Sequence, residues 1–176
     1  MMHTFRISGK RHLLITGQKQ IGKSTLCSLL REERAYCGLR SYACWGSRPT
    51  PDRIEMQDLA TGEIFPIGTP GAGRMEPIPE ALNTHAAEIL RQIPDGSEVM
   101  IDEVGYLESS CRCYVDELER LFGRCTVTAV LRKDSTPLLD WLRCRPDVFV
   151  WDLDLHQHPC QVGCVVMASG WSRRFE

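Results

Sequence analysis

The stretch Gly17-Gln18-Lys19-Gln20-Ile21-Gly22-Lys23-Ser24-Thr25 satisfies the pattern Gly, four residues, Gly, Lys, Ser or Thr, and each fixed position has a reason in phosphate chemistry. The glycines allow a tight turn whose backbone N–H groups face inward onto phosphate oxygens, and a helix opening straight after adds the positive end of its dipole. Lys23 has the reach for the β and γ phosphates. The Ser24 hydroxyl suits Mg²⁺, which takes oxygen ligands and keeps most of its waters. A second group, Glu98-Val99-Met100-Ile101-Asp102-Glu103, is an apolar run delivering two carboxylates at its end. Asp102 fits the hydration shell of the metal, and Glu103, pointing elsewhere, fits the polarisation of an attacking water. The ligands these residues call for are a nucleoside triphosphate, ATP or GTP, and Mg²⁺.

Such groups need a scaffold, and the hydrophobic pattern supplies one. His12 to Thr16 reads as a strand buried on both faces, entering Gly17, and Leu26, Leu29 and Leu30 place a helix from Lys23 to about Tyr36. Leu39 to Trp45 reads as the next strand, then a Pro/Gly loop. Arg53 to Leu59 and Glu63 to Ile67 flank a glycine turn and predict a hairpin that protrudes from the main sheet. Thr69 to Arg74 is expected to be a mobile loop. Leu82, Ala86, Ile89, Leu90 and Ile93 give a helical stripe beginning near Glu80, and Val115, Leu118, Leu121 and Phe122 give another. Between them Val99 to Ile101 is a buried strand. Thr126 to Leu131 and Val148 to Trp151 are two more, separated by a short helix that Thr136-Pro137 opens. Val162 to Ala168 is strand or helix; periodicity does not decide. Strands alternating with helices predict an α/β fold, a mostly parallel sheet with helices on both faces, and 176 residues predict a single domain, 1–176.

Composition narrows the function classes. A hydrophobic fraction of 43% with 25% charged residues is that of an ordinary globule. The net charge of −2 gives no general attraction to nucleic acid or anionic lipid, and the tryptophans are not interleaved with a basic stripe, so no nucleic-acid partner is expected. No apolar run approaches the ~20 residues of a membrane span, and Met1 to Arg11 lacks a secretory pattern. A cytoplasmic location follows as the expectation, with no membrane partner. The nine cysteines then read as reduced thiols rather than a disulfide framework.

Taken together, the phosphate motif, Ile101-Asp102-Glu103-Val104-Gly105-Tyr106-Leu107-Glu108, Thr126 to Leu131 and Asp147 to Leu153 resemble the small P-loop nucleoside-triphosphatase family, over roughly residues 10 to 155. The resemblance implies a three-layer, RecA-like P-loop fold of the additional-strand type, and slow, Mg²⁺-dependent hydrolysis of several nucleoside triphosphates. By position it assigns Lys23 and Ser24 to phosphate and magnesium, Asp102 to the metal's hydration shell and Glu103 to the water. Glu108 matches a second family glutamate; the alternative is a carboxylate stabilised by the dipole of the next helix. Where the family usually shows Gly-Phe-Tyr-Thr and a downstream Glu-Val-Arg, this chain has Ser41-Tyr42-Ala43-Cys44-Trp45-Gly46-Ser47-Arg48. Arg48 either replaces the family arginine near the γ-phosphate or is a surface residue, and Lys19 either touches that phosphate or faces water.

Three functional readings stand side by side: a nucleoside-triphosphatase, a nucleotide-dependent adaptor acting on an unidentified protein partner, and a small-molecule kinase. The kinase needs arginines in a lid, for which Arg132 and the residues around Thr136 are the candidates. His156, His158, Cys160 and Cys164 are metal-competent types, but their spacing matches no specific zinc pattern. Base preference is not written in any of these motifs.

Overall fold

The computed structural model describes residues 2–156. Val162 to Ala168 and the side chains of the set His156, His158, Cys160 and Cys164 lie outside the described residues. The chain runs α1 (Met2–Ile7), β1 (His12–Thr16), α2 (Lys23–Glu33), β2 (Cys37–Cys44), β3 (Arg53–Asp58), β4 (Ile64–Pro70) and β5 (Met75–Pro77). A π-helical turn (Ala81–Ala86) leads into α3 (Ala87–Gln92), followed by β6 (Glu98–Val104), α4 (Tyr106–Ser109) and α5 (Arg112–Arg124). Then come β7 (Thr126–Leu131), α6 (Pro137–Cys144), β8 (Val148–Asp152) and a 3₁₀ turn (Leu153–His156).

The strands form one mixed sheet in the order β5-β4-β3-β2-β6-β7-β1-β8. From β2 to β8 the pairing is parallel, and from β2 to β5 it is antiparallel. In the parallel part β7 is inserted between β1 and β6, which is the additional-strand arrangement. The hairpin β3–β4 does not stand off the sheet as expected: β3 pairs with β2 over Leu39 to Cys44, so the hairpin continues the sheet in its own plane.

Alternation along the strands sorts the core into two layers. Leu14, Val99, Ile101, Val127 and Ala129 face one side, packed with Leu82, Leu90, Leu118, Phe122 and Leu142 of the helical layer. Leu13, Ile15, Met100, Val130 and Trp151 face the other, packed with Leu26, Cys27 and Leu30 of α2 and with Phe5 of α1. Every residue of β1 is buried, as a strand covered on both faces requires.

Several boundaries differ from expectation. The helix α2 stops at Glu33, with Arg34 already extended, because the chain must return to pair β2 with β6. Gly38 makes that pairing possible: its φ is 120° and a Cβ there would lie 2.2 Å from the Met100 carbonyl oxygen. Thr69 and Pro70 belong to β4, paired with Glu76 and Met75 of β5, so the expected loop shrinks to a turn in which Gly71 N–H donates to the Arg74 carbonyl at 2.9 Å. The helix expected from Glu80 opens as the wider π turn before α3, and its stripe Leu82, Ala86 and Leu90 is fully buried. The seven cysteines among the described residues are free thiols.

Candidate active site

The P-loop begins where β1 ends. The Thr16 hydroxyl donates to the Leu131 carbonyl at 3.2 Å, fastening the C-terminal ends of β1 and β7 to each other. Gln20 (φ 64°) and Gly22 (φ 102°) are both left-handed, a conformation natural for glycine and costly for most other residues. These turns bring the chain round so that α2 starts at Lys23 with no side-chain cap on its first N–H groups. Lys23 Nζ donates to the carbonyls of Gly17 (2.8 Å) and Gln18 (2.5 Å), which keeps the ammonium inside the curve of the loop. Burial lowers the Lys23 pKa; Glu103 and then Asp154 oppose that, while Arg132 and Lys133 reinforce it. Ser24 and Thr25 follow in the first turn of α2 and are exposed, as is Lys19 in the loop.

The carboxylates come from β6, two strands away. Ile101 is paired with Ala129 and Val104 with Leu131, so β6 carries one extra residue at this point, a bulge that contains Asp102 and Glu103. Asp102 is buried, 3.6 Å from Arg40 Nε across the β2–β6 pair. Burial raises its pKa, with Arg40 opposing and Glu103 adding to the rise. Glu103 has φ 89°, a backbone state that costs a non-glycine residue on the order of 1–3 kcal/mol and is retained where surrounding contacts fix it. Here the contact is an ion pair between the Glu103 carboxylate and Arg132 Nε, at the end of β7. Glu108 belongs to α4 and turns back to accept the Gly105 N–H at 2.8 Å, capping the helix from within. It is 3% exposed, and burial raises its pKa to about 7 against the pull of the backbone donors.

Four charged residues at the strand ends were not singled out for this cluster from sequence. Arg132 holds Glu103. Lys133 bridges Asp152 (2.9 Å) and Asp154 (2.6 Å), and the Asp154 carboxylate accepts the Gln18 N–H at 3.0 to 3.1 Å. The turn after β8 is therefore tied to the P-loop. The available signal is position: these residues lie at or just past the C-terminal ends of β7 and β8, the edge at which open α/β sheets bind ligands. Arg48 forms an exposed pair with Asp52 (2.5 Å) in the loop after β2. Thr136 is the N-cap of α6, accepting the Leu139 N–H at 3.3 Å. Among the described residues no three His, Cys, Asp or Glu side chains cluster as a metal site, and no helix is long and apolar enough to cross a membrane.

Residues 12–160 match the family model described as NTPase. Nucleoside-triphosphatase THEP1 of Methanopyrus kandleri is 31% identical over 150 residues, covering 78% of this chain and 83% of that protein. Among solved structures, the solution structure of a human cancer-related nucleoside triphosphatase is similar with a TM-score of 0.66 at 19% identity, covering 81% of this chain and 88% of that one. The crystal structure of THEP1 from the hyperthermophile Aquifex aeolicus is similar with a TM-score of 0.57 at 17% identity, covering 79% and 87%. The fold is shared with both, and the match of family model and relative over most of the chain carries the assignment: this chain belongs to the NTPase family of nucleoside-triphosphatases.

Proposed function

We propose that the chain hydrolyses ATP or GTP to the diphosphate and phosphate in the presence of Mg²⁺, with Gly17, Gln18, Lys19, Gln20, Ile21, Gly22, Lys23, Ser24 and Thr25 holding the phosphates. The observation that carries this reading is the convergence of Lys23, Arg132 and Glu103 at the C-terminal ends of β1, β7 and β6. Glu103 is the strongest of the charges supporting the Lys23 ammonium, which puts the lysine and the carboxylate within electrostatic reach of each other and supports a joint role. Lys23, with three N–H donors, exchanges its two loop carbonyls for phosphoryl oxygens, and the loop N–H groups complete the cradle.

The donors present suit Mg²⁺: an exposed hydroxyl at Ser24 and a buried carboxylate at Asp102 are the hard oxygen ligands that it takes in small number. Bound there, the ion supplies charge neutralisation on the β and γ phosphates. Asp102 contributes an acceptor for its hydration shell, and the bulged Glu103 accepts a hydrogen bond from the attacking water and aligns it.

Single-turnover phosphate release from ATP and from GTP with Mg²⁺, together with nucleotide affinity, tests the reading on wild type, Glu103→Gln and Lys23→Ala. Glu103→Gln is expected to keep its affinity and to lose on the order of 100-fold in rate, and Lys23→Ala to lose both. A wild type that binds tightly and turns over no faster than Glu103→Gln overturns hydrolysis as the function.

A further inference from the structure

Glu103 is aimed by two things, a left-handed backbone and one partner, and the partner is itself fixed from every side. Arg132 N–H donates to the Val104 carbonyl at 3.1 Å, on the strand that carries Glu103. Its own carbonyl accepts from Arg143 Nη2 at 2.5 Å. Its guanidinium lies over the Tyr106 ring, 5.8 Å from the centroid. Its stem crosses Gly105 so closely that a Cβ there would sit 2.9 Å from Arg132 Cδ. Burial opposes the guanidinium charge, yet Glu103, seconded by Glu108 and Asp134, raises the pKa of Arg132.

An ion pair whose side chains are 34% and 31% exposed contributes little to folding, typically 0 to about 1 kcal/mol, and such extensive buttressing of one arginine is poorly explained by stability. Orientation explains it better, because a misplacement of about 1 Å at a reacting group costs about 100-fold in rate. We infer that Arg132 is a positioning residue: it holds the Glu103 carboxylate at the angle from which it aligns the attacking water. The inference rests on the reading of Glu103 as the water-orienting residue. It also gives Arg132 a role on the hydrolytic side of the site in place of a kinase lid.

The test is single-turnover hydrolysis and nucleotide affinity for wild type, Arg132→Ala, Arg132→Lys, Glu103→Gln and the double variant Arg132→Ala/Glu103→Gln. Arg132→Ala is expected to lose roughly 10- to 100-fold in rate with affinity within about threefold of wild type. Arg132→Lys, which keeps a cation but not the planar fork, is expected to recover part of the loss. In the Glu103→Gln background, Arg132→Ala is expected to cost nothing further, since residues acting as a unit are non-additive. Full losses that add in the double variant, or an Arg132→Ala rate equal to wild type while Glu103→Gln is impaired, overturn the positioning role alone. An unimpaired Glu103→Gln overturns the underlying reading of Glu103, and the positioning role with it.

Discussion

Replacing Glu108 with glutamine keeps an oxygen for the Gly105 N–H and removes a carboxyl that the fold prefers to keep protonated. Burial raises its pKa from 4.5 to about 7, so the native state binds this proton more tightly than the unfolded chain does. Stability from this group is therefore complete below pH 4.5 and is lost as the pH rises through about 7. At 1.36 kcal/mol for each tenfold change in proton affinity, the full loss is about 3 kcal/mol. The side chain is wholly enclosed, so solvent screening does not reduce that figure much. Glutamine carries no such loss. Urea unfolding followed by tryptophan fluorescence, for which Trp151 is fully buried, should show Glu108→Gln more stable than wild type by about 3 kcal/mol near pH 8 and by about 1 kcal/mol or less near pH 5. The comparison must be made at matched pH, because His12 titrates in an overlapping range with the opposite sign. A stability difference that is the same at both pH values refutes the assignment of the buried proton to Glu108.

His12 is fully buried beside Phe122, with Nδ1 accepting the Val127 N–H and Nε2 3.3 Å from Asp147; burial lowers its pKa to about 4, only partly offset by Asp147. Its contribution is complete above pH 6.5 and is lost as the pH falls through about 4, so acid titration of stability should be shallower in His12→Asn by up to about 3 kcal/mol. Gly38→Ala drives a methyl onto the Met100 carbonyl at a left-handed position and should cost more than about 3 kcal/mol in chemical denaturation; a cost under about 1 kcal/mol would mean that β2 and β6 part more easily than their pairing implies. The Tyr114 hydroxyl is buried with no hydrogen-bond partner among the described residues, so Tyr114→Phe should raise stability by about 1 kcal/mol, and a destabilised variant would reveal a partner. Asp154→Ala frees the Gln18 N–H, and hydrogen exchange at that amide should accelerate by about fivefold or more; an unchanged rate would show that the P-loop holds itself without the turn after β8.

The parts of the site that were legible in sequence are those whose determinants are local. The run into Gly17 followed by Leu26 and Leu30 needs only neighbouring residues to become a strand, a turn and a helix, and the apolar run Val99 to Ile101 places Asp102 among the last residues of β6 for the same reason. The bulge at Glu103 was not legible, because it exists only as a mismatch of count between β6 and β7. From sequence Arg132 reads only as a kinase-lid candidate, because its partner is 29 positions away, and Asp154 reaches a P-loop amide 136 positions away. The strand β5 and the helices α1 and α4 are too short for periodicity to reveal. In the same way, Glu108 matched a family position by sequence, yet its role as an internal helix cap depends on the path of the chain at Gly105.

The place of β1 between β7 and β8 also orders events in time. On the antiparallel side each strand pairs with its neighbour in sequence, so β2 to β5 close over short loops. The strand leading into the phosphate loop has no such neighbour: Thr16 waits for Leu131, 115 positions later, and its other edge waits for β8. As the chain emerges from the ribosome, the nucleotide-binding motif is made before the strands that complete it, with Leu13, Leu14 and Ile15 an apolar liability until residue 152 is released. Nascent chains halted before Val148 should accordingly fail to bind nucleotide, whatever the integrity of the motif they already carry.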